Sequence, residues 1–268
     1  MRNLYKTDLK RIFKDKLFLI TCILAGVFAF INPLLYKVLF VALGVEDIPL
    51  IMVNSKSLFF TAFAAGDNLG LIMPILIAII VCKDFSQGTV RNKIISGKSR
   101  GAIFLSHFLT ASTVICSLML IHGLLTLGIS LCFFDYQDGP FTAADFGYLM
   151  ASLGFEMLIY MAVAATVTFI ATISKNMGIC IVLYLAASLG LTIVGSLTQV
   201  VGMFLDHEST EYAIMEFVNA INFFSTTLIG TGTTYSAKDV FYILISPILT
   251  IAGCVGFGIL KFSKKNLK

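Results

Sequence analysis

The stretch Ile95-Ser96-Gly97-Lys98-Ser99-Arg100-Gly101 carries parts of two chemical motifs at once. Gly97-Lys98-Ser99 reads as the end of a phosphate-binding loop, in which backbone N–H groups cradle phosphates and the lysine reaches the outer ones. Gly97-Lys98-Ser99-Arg100-Gly101 fits the letters G-x-S-x-G, in which a serine on a strained strand-to-helix turn acts as a nucleophile. Both readings fail on their surroundings. The phosphate loop needs a first glycine where the chain has Asn92, and it needs a parallel sheet. The longest segment outside apolar runs is about 33 residues, 206–238, too short for such a domain. A nucleophilic serine needs a histidine oriented by a carboxylate. The three histidines are His107, His122 and His207, and no acid is placed to orient the nearest, His107. No catalytic residue, metal site or cofactor is therefore expected in this chain.

Two other ionisable residues fall inside apolar runs, His122 and Glu156. Such groups cost several kcal/mol at membrane depth unless paired or wet, so they are functional candidates. They lie in consecutive runs, each 11 residues in from the loop between them, counting from Phe133 and from Asp145. At about 1.5 Å per residue each sits roughly 16 Å deep. Pairing across this hairpin would fasten two helices; the alternative is contact with a substrate or a proton.

The rest of the chain is built to hold such groups in lipid. It has 268 residues, is 58% hydrophobic and 13% charged, and has a mean hydropathy of +0.94. Soluble domains are nearer 45–50% apolar and about 25% charged. Six apolar runs are long enough to cross a bilayer as helices: about 17–41, 60–82, 102–133, 147–173, 177–205 and 240–261. The first is too long for the apolar core of a signal peptide and is read as a retained span. Asp67 and Asn68 fall near the outer end of the second, and Pro33, Pro74 and Pro247 predict kinks. The six cysteines all lie in apolar runs without metal-ligand spacing and read as small hydrophobes. Small residues in the fourth and fifth runs, such as Ala162, Ala164, Ala165, Ala186 and Gly190, predict close helix packing.

Charge sets the orientation. Residues 1–16 hold six Lys and Arg, the loop after the second run holds five, Lys175 follows the fourth run, and the tail holds four. Only Lys37, Lys56 and Lys238 fall on the other side. The positive-inside rule then places both termini in the cytoplasm. The expected fold class is an all-α membrane protein of six transmembrane helices, one domain over 1–268. Tyr5, Leu9, Ile12 and Phe13 share one face of the first sixteen residues, with Lys6, Lys10 and Lys14 on another. That pattern predicts a basic amphipathic helix on the inner leaflet. Outside, Ile214, Phe217, Val218 and Ile221 at i, i+3, i+4, i+7 predict a short amphipathic helix, and Gly230 and Gly232 a turn after it.

The basic loop 83–103 should also form a short helix of about three turns. Asp84 or Ser86 can cap its start, Val90 and Ile94 stack on one face, and Gly97 stops it. The stretch CKDFSQGTVRNKIISGKSRGAIFLSHFL, Cys82 to Leu109, resembles the first cytoplasmic loop of ATP-binding cassette exporter permeases of the second type (ABC-2 type), those related to bacitracin, lantibiotic and multidrug export systems. The shared elements are Asp84-Phe85, Gly88-Thr89, Arg91-Asn92-Lys93, Gly97 and Ser99-Arg100. The strong match covers about 28 residues; beyond it the likeness is one of topology.

The resemblance implies that this loop is a coupling helix seated in a separate ATPase. Phe85, Val90 and Ile94 would be apolar contacts, and Asp84, Arg91, Lys93 and Arg100 charged ones. Gly88, Thr89 and Gly97 would shape the turns. The same resemblance implies two ATPase copies that bind ATP and Mg, and a second permease chain, identical or homologous. It also implies a bacterial plasma membrane and an amphiphilic cargo such as an antimicrobial peptide, a drug or a lipid-like molecule. Nucleic acid is not an expected partner. The other reading of the residues is an ATP-independent transporter or channel. That class tends to show repeated halves and charged midplane breaks, which are not evident here.

Overall fold

A long apolar run in lipid has no outside partner for its backbone N–H and C=O groups, so it closes its hydrogen bonds within a helix. The computed structural model follows this rule. It describes residues 2–43, 54–63, 68–137, 140–174, 176–206, 208–225 and 235–264, and no strand occurs among them. In chain order the helices are α1 (Arg2–Phe13), α2 (Lys16–Leu43), α3 (Ser55–Ala62), α4 (Asn68–Ser86), α5 (Thr89–Ile95), α6 (Arg100–Ser130), α7 (Ala143–Ile173), α8 (Met177–Gly202), α9 (Thr210–Ile221) and α10 (Ala237–Lys264).

Five of these, α2, α6, α7, α8 and α10, are long and apolar enough to cross a membrane. A sixth crossing exists if Ile72–Phe85 of α4 and the sharply bent α5 are taken as one broken span. The second apolar run therefore does not form the single helix expected over 60–82. Its first part belongs to α3, which starts at a capping box of Asn54 and Ser57 and ends at Ala62, and α4 begins at Asn68. Asp67, Lys175, His207, Gly230 and Gly232 lie outside the described residues. Helix assignment runs through Pro33, Pro74 and Pro247.

α6 and α7 form a central hairpin, mostly buried, whereas α2, α8 and α10 expose most of their surface. Small residues explain part of the difference. Ala162, Ala164, Ala165 and Ala171 of α7 are buried, which lets neighbouring backbones approach. In α8 the expectation of close packing holds only for a narrow stripe of Cys180, Tyr184, Ser188, Gly195 and Thr198. Ala186, Ala187 and Gly190 face outward.

The two ends are fastened differently. At one end, the Ser55 and Lys56 N–H groups donate to the Asp135 and Tyr136 carbonyls at 2.9 and 3.0 Å, and the Lys56 ammonium reaches Asp145 at 3.1 Å. There α9 hangs on α8 and α10, because the Asn222 amide donates to the Leu191 carbonyl and the Ser246 hydroxyl to the Ile221 carbonyl. Ile214, Phe217, Val218 and Ile221 of α9 form an exposed apolar face. At the other end, α1, the α4–α5–α6 connection and the last turn of α10 meet, and this is the basic end.

Gly258 of α10 lies against the ring of buried Phe104 of α6, so close that a Cβ there would overlap the ring. Gly258→Val should therefore destabilise the protein by about 1–3 kcal/mol through overpacking. Thermal unfolding in detergent should show the lower midpoint. The exposed Gly256, where a Cβ meets nothing within 4 Å, provides the control.

Candidate functional site

Helix α1 is basic, yet its buried face reads Leu4, Asp8, Ile12, one residue per turn against α6. Asp8 is 3% exposed, so its carboxylate requires partners. It accepts two bonds from the Lys93 ammonium of α5, at 2.8 and 3.0 Å, and one from the Ser106 hydroxyl of α6, at 2.9 Å. Asp84 of α4 is equally buried. It receives the Arg11 guanidinium at 2.6 Å and Lys93 at 3.3 Å, and His107 Nε2 of α6 lies 3.2 Å away. That nitrogen is also 3.2 Å from the Lys93 Nζ. With its proton on Nε2, His107 donates to Asp84; with the proton on Nδ1, it accepts from Lys93. Two carboxylates, a lysine, an arginine and an imidazole thus compensate one another and join α1, α4, α5 and α6.

α5 is the shortest member. It starts at Gly88, a residue at φ 69°, with no side-chain cap. The expected caps Asp84 and Ser86 instead belong to α4, because Gly88 supplies the left-handed turn that separates the helices. α5 spans seven residues, two turns rather than three. It stops where expected: the Gly97 N–H donates to the Ile94 carbonyl at 2.9 Å and the Lys98 N–H to the Lys93 carbonyl at 3.2 Å. Gly97, at φ 80°, makes this paired closure possible.

The loop residues singled out from sequence divide into two sets. Val90 is 2% exposed and packs with Leu4, Ile103, Phe104 and Phe262, and Ile94 lies partly buried against the same group. Phe85 stands edge-on to the rings of His107 and Phe262. Asp84 and Lys93 are inside the ion network, and Arg100 donates to the Ser263 and Phe262 carbonyls at 2.9 and 3.4 Å, closing the end of α10. Within this chain these side chains contact its own helices, with Asp84 and Val90 buried and Phe85, Lys93, Ile94 and Arg100 half-buried. Thr89 and Gly88 are half-buried. The outward set is Arg91, Asn92, Ile95, Ser96, Gly97 and Lys98. Ile95 is 74% exposed, an apolar side chain amid cations.

Ser99 caps α6, its hydroxyl accepting the Ala102 N–H at 3.3 Å. The G-x-S-x-G letters thus mark a helix start, not an elbow after a strand.

Beside this end, a cavity of about 420 Å³ opens between α2, α4 and the α7–α8 turn, lined by Leu17, Ile79, Cys82, Phe85, Ala171 and Met177. Lys83 and Asn176 stand at its polar margin. Asp15, between α1 and α2, accepts the Leu17 N–H at 3.1 Å and the Lys83 ammonium at 3.0 Å, and these hold its carboxyl below the usual carboxylate range. At the opposite end the Thr142 hydroxyl and N–H, then Lys56 and Gln137, do the same for Asp145.

No hydrogen bond joins His122 to Glu156 among the described residues. His122 Nδ1 lies 3.0 Å from the Ala25 carbonyl of α2, so the imidazole ties α6 to the first long helix. Glu156 is fully buried, and neither carboxyl oxygen has a hydrogen-bond partner among the described residues. Asp8, Arg11 and Ser106 carry no motif of their own for this site, and His107 stood out only as a base for Ser99. The signal that could have found the first is an acid in register with Leu4 and Ile12.

No protein-family model matches this chain, and no curated protein matches it.

Lys93→Ala leaves two buried carboxylates short of their shared cation and should cost about 3–5 kcal/mol, while exposed Arg91→Ala should stay within about 0.5 kcal/mol. Thermal unfolding of the two variants in detergent separates them. Acid should act through Asp15 and Asp145. Their folded values lie below the unfolded carboxylate value of about 3.9. The stability they contribute is therefore complete above that value and declines as pH falls through the folded ones. The unfolding midpoint should hold near neutrality, then drop below about pH 4, with a shallower drop in Asp15→Asn.

Proposed function

We propose that this protein is the membrane-spanning permease subunit of an ATP-binding cassette exporter. Its cargo is an amphiphile, and a separate ATPase, present in two copies with ATP and Mg, drives it. The chain works with a second permease in a bacterial plasma membrane, both termini in the cytoplasm. The observation that supports this most is the arrangement of α5. A two-turn helix is held to α1, α4 and α6 by Lys93 and Val90, and it turns Arg91, Ile95 and Lys98 outward at the basic end.

The physical logic is that of a rigid handle. A seven-residue helix has little stability alone, so its position is set by what it is bonded to. An ATPase groove that grips the exposed face would displace α5, and the ion network would pass that displacement to three other helices. ATP would shift the pathway between states only through contacts that differ between them. The cavity beside Phe85, with apolar walls and a polar margin, suits an amphiphile entering from the same side.

Co-expression with an ATP-binding cassette ATPase encoded beside this chain tests the reading. The ATPase should co-purify in detergent. Arg91→Glu combined with Ile95→Asp should abolish that while leaving the yield of membrane-inserted chain unchanged. Intact co-purification of this double variant would refute the docking face. Transport of cargo by the purified chain without any ATPase would refute the class and favour an autonomous transporter.

A further inference from the structure

α7 carries a polar residue at every fourth position of one winding row: Tyr148, Ser152, Glu156 and Tyr160, then, past Ala164, Thr168 and Thr172. From Ser152 onward the row is buried. Four residues turn an α-helix by about 400°, so the row drifts by only about 40° per step. Packing alone does not call for it, because apolar residues would fill the same space without losing hydration. Thr172 satisfies itself on the Thr168 carbonyl at 2.7 Å. Glu156 has no such recourse, with both oxygens unpartnered among the described residues.

The row is reached at the end away from the basic cluster. Tyr235, just ahead of α10, has its ring 6.0 Å from that of Tyr148 and 5.3 Å from that of Phe155. Its hydroxyl lies near Ser152, on the side of α7 that carries Glu156. Ser152 stands one turn from Glu156. Tyr148 and Tyr235 are only half-buried, so two hydroxyls separate the carboxyl from the molecular surface.

The other ionisable groups on the helices packed against α7 are engaged elsewhere or lie far along. On α6, Cys116 contacts the Met157 carbonyl at 3.7 Å, His122 lies on the Ala25 carbonyl, and Arg100 and His107 belong to the basic end. On α10, Cys254 contacts Thr166, Lys238 pairs with Glu216, Asp239 caps the helix start with Ser236, Tyr242 sits in the first turns, and Lys261 and Lys264 end the helix. On α4, Cys82, Lys83 and Asp84 close the far end. On α8, Cys180 and Tyr184 lie in the half that follows the α7–α8 turn.

We propose that Glu156 is a proton-binding site, loaded and emptied through the Tyr235 and Ser152 hydroxyls from the end of the molecule that carries Tyr148. A fully buried carboxyl leaves no room for a cationic headgroup, whereas a proton needs none. On loading, a hydronium ion gives a proton to the Tyr235 oxygen and is left as water, as that hydroxyl passes its own proton to Ser152. A change of the Glu156 rotamer brings one of its oxygens to the Ser152 hydroxyl one turn away, and Ser152 passes its proton to it. Each hydroxyl ends as it began, and the carboxylate becomes a neutral acid. The site stands independently of any ATPase partner.

Infrared difference spectra of the full chain in detergent, between acidic and alkaline buffer, test this. A protonated-carboxyl stretch typical of apolar surroundings should appear in acid, vanish in alkali, shift in D₂O and be absent from Glu156→Gln. Should that variant fail to fold, carboxyl-¹³C glutamate in the wild type assigns the band. Tyr235→Phe keeps the ring and should slow deuterium uptake at the band by about 10²-fold, the scale of a positioned proton donor. A band unchanged between the two buffers would make Glu156 a permanently neutral fastener and overturn the proposal. Absence of the band at every pH, or unchanged uptake in Tyr235→Phe, would overturn it too.

Discussion

The basic end depends on one ammonium group placed between two buried carboxylates. Lys93 reaches both Asp8 and Asp84, which come from helices far apart in sequence. Without it, each acid would carry charge into a largely dry space, at a cost that Arg11 and Ser106 do not offset. With it, α1 is tied to the bundle by charge as well as by Leu4 and Ile12. All three acids at this end are paired, since Asp15 takes Lys83. What remains outward is cationic: Lys6, Lys10, Lys14, Lys16, Arg91 and Lys98 are all exposed.

The long helices meet the opposite constraint, a surrounding without hydrogen-bonding partners. Many of their hydroxyls turn back on their own backbone, as Thr21 does on Leu17, Thr113 on Leu109, Ser117 on Thr113, Thr126 on His122 and Thr166 on Ala162. A hydroxyl satisfied this way can face either lipid or a neighbour. A carboxyl has no such local solution, and neither oxygen of Glu156 finds a partner among the described residues, as is also true of the buried Thr110, Ser112 and Thr168 hydroxyls.

The helical class and most helix positions could be read from sequence because the bilayer dictates both length and backbone state. The ends of α7 and α10 shifted outward by only a few residues, where Thr142 with Asp145 caps the first. The second run differs because apolar content does not reveal a break; α3 is anchored at its start by Ser55 and Lys56 on the 134–136 turn and closes after Ala62 with the Phe63 N–H on the Phe60 carbonyl. The α5 site was half legible. Gly97 announced its end, since only glycine enters positive φ freely, whereas its start fell at Gly88 and not at the expected Asp84 or Ser86. Which face it shows was not legible. A lysine in a basic loop reads as exposed until a distant acid such as Asp8 is known to cover it. His122 and Glu156 were found by type and depth, but their partners depend on helix rotation, which spacing along one helix does not fix.

The attachment of α5 also bears on what could move together. Lys93 and Val90 join it to the first turns of α6, and Arg100 at the start of α6 closes the last turn of α10. One turn further, Phe104 fills the space left by Gly258. α10 in turn packs along α7, with Thr166 touching Cys254. A push on α5 therefore meets α6, α7 and α10 as one block, because packed interiors are not compressible enough to absorb it locally. α2 and α8 expose most of their surface and offer the more compliant borders of that block. The cavity near Phe85 lies between them, bounded by Leu17 on one side and Met177 on the other. A motion that enters at Arg91 and Ile95 would thus open or close space there before it altered the tightly packed centre.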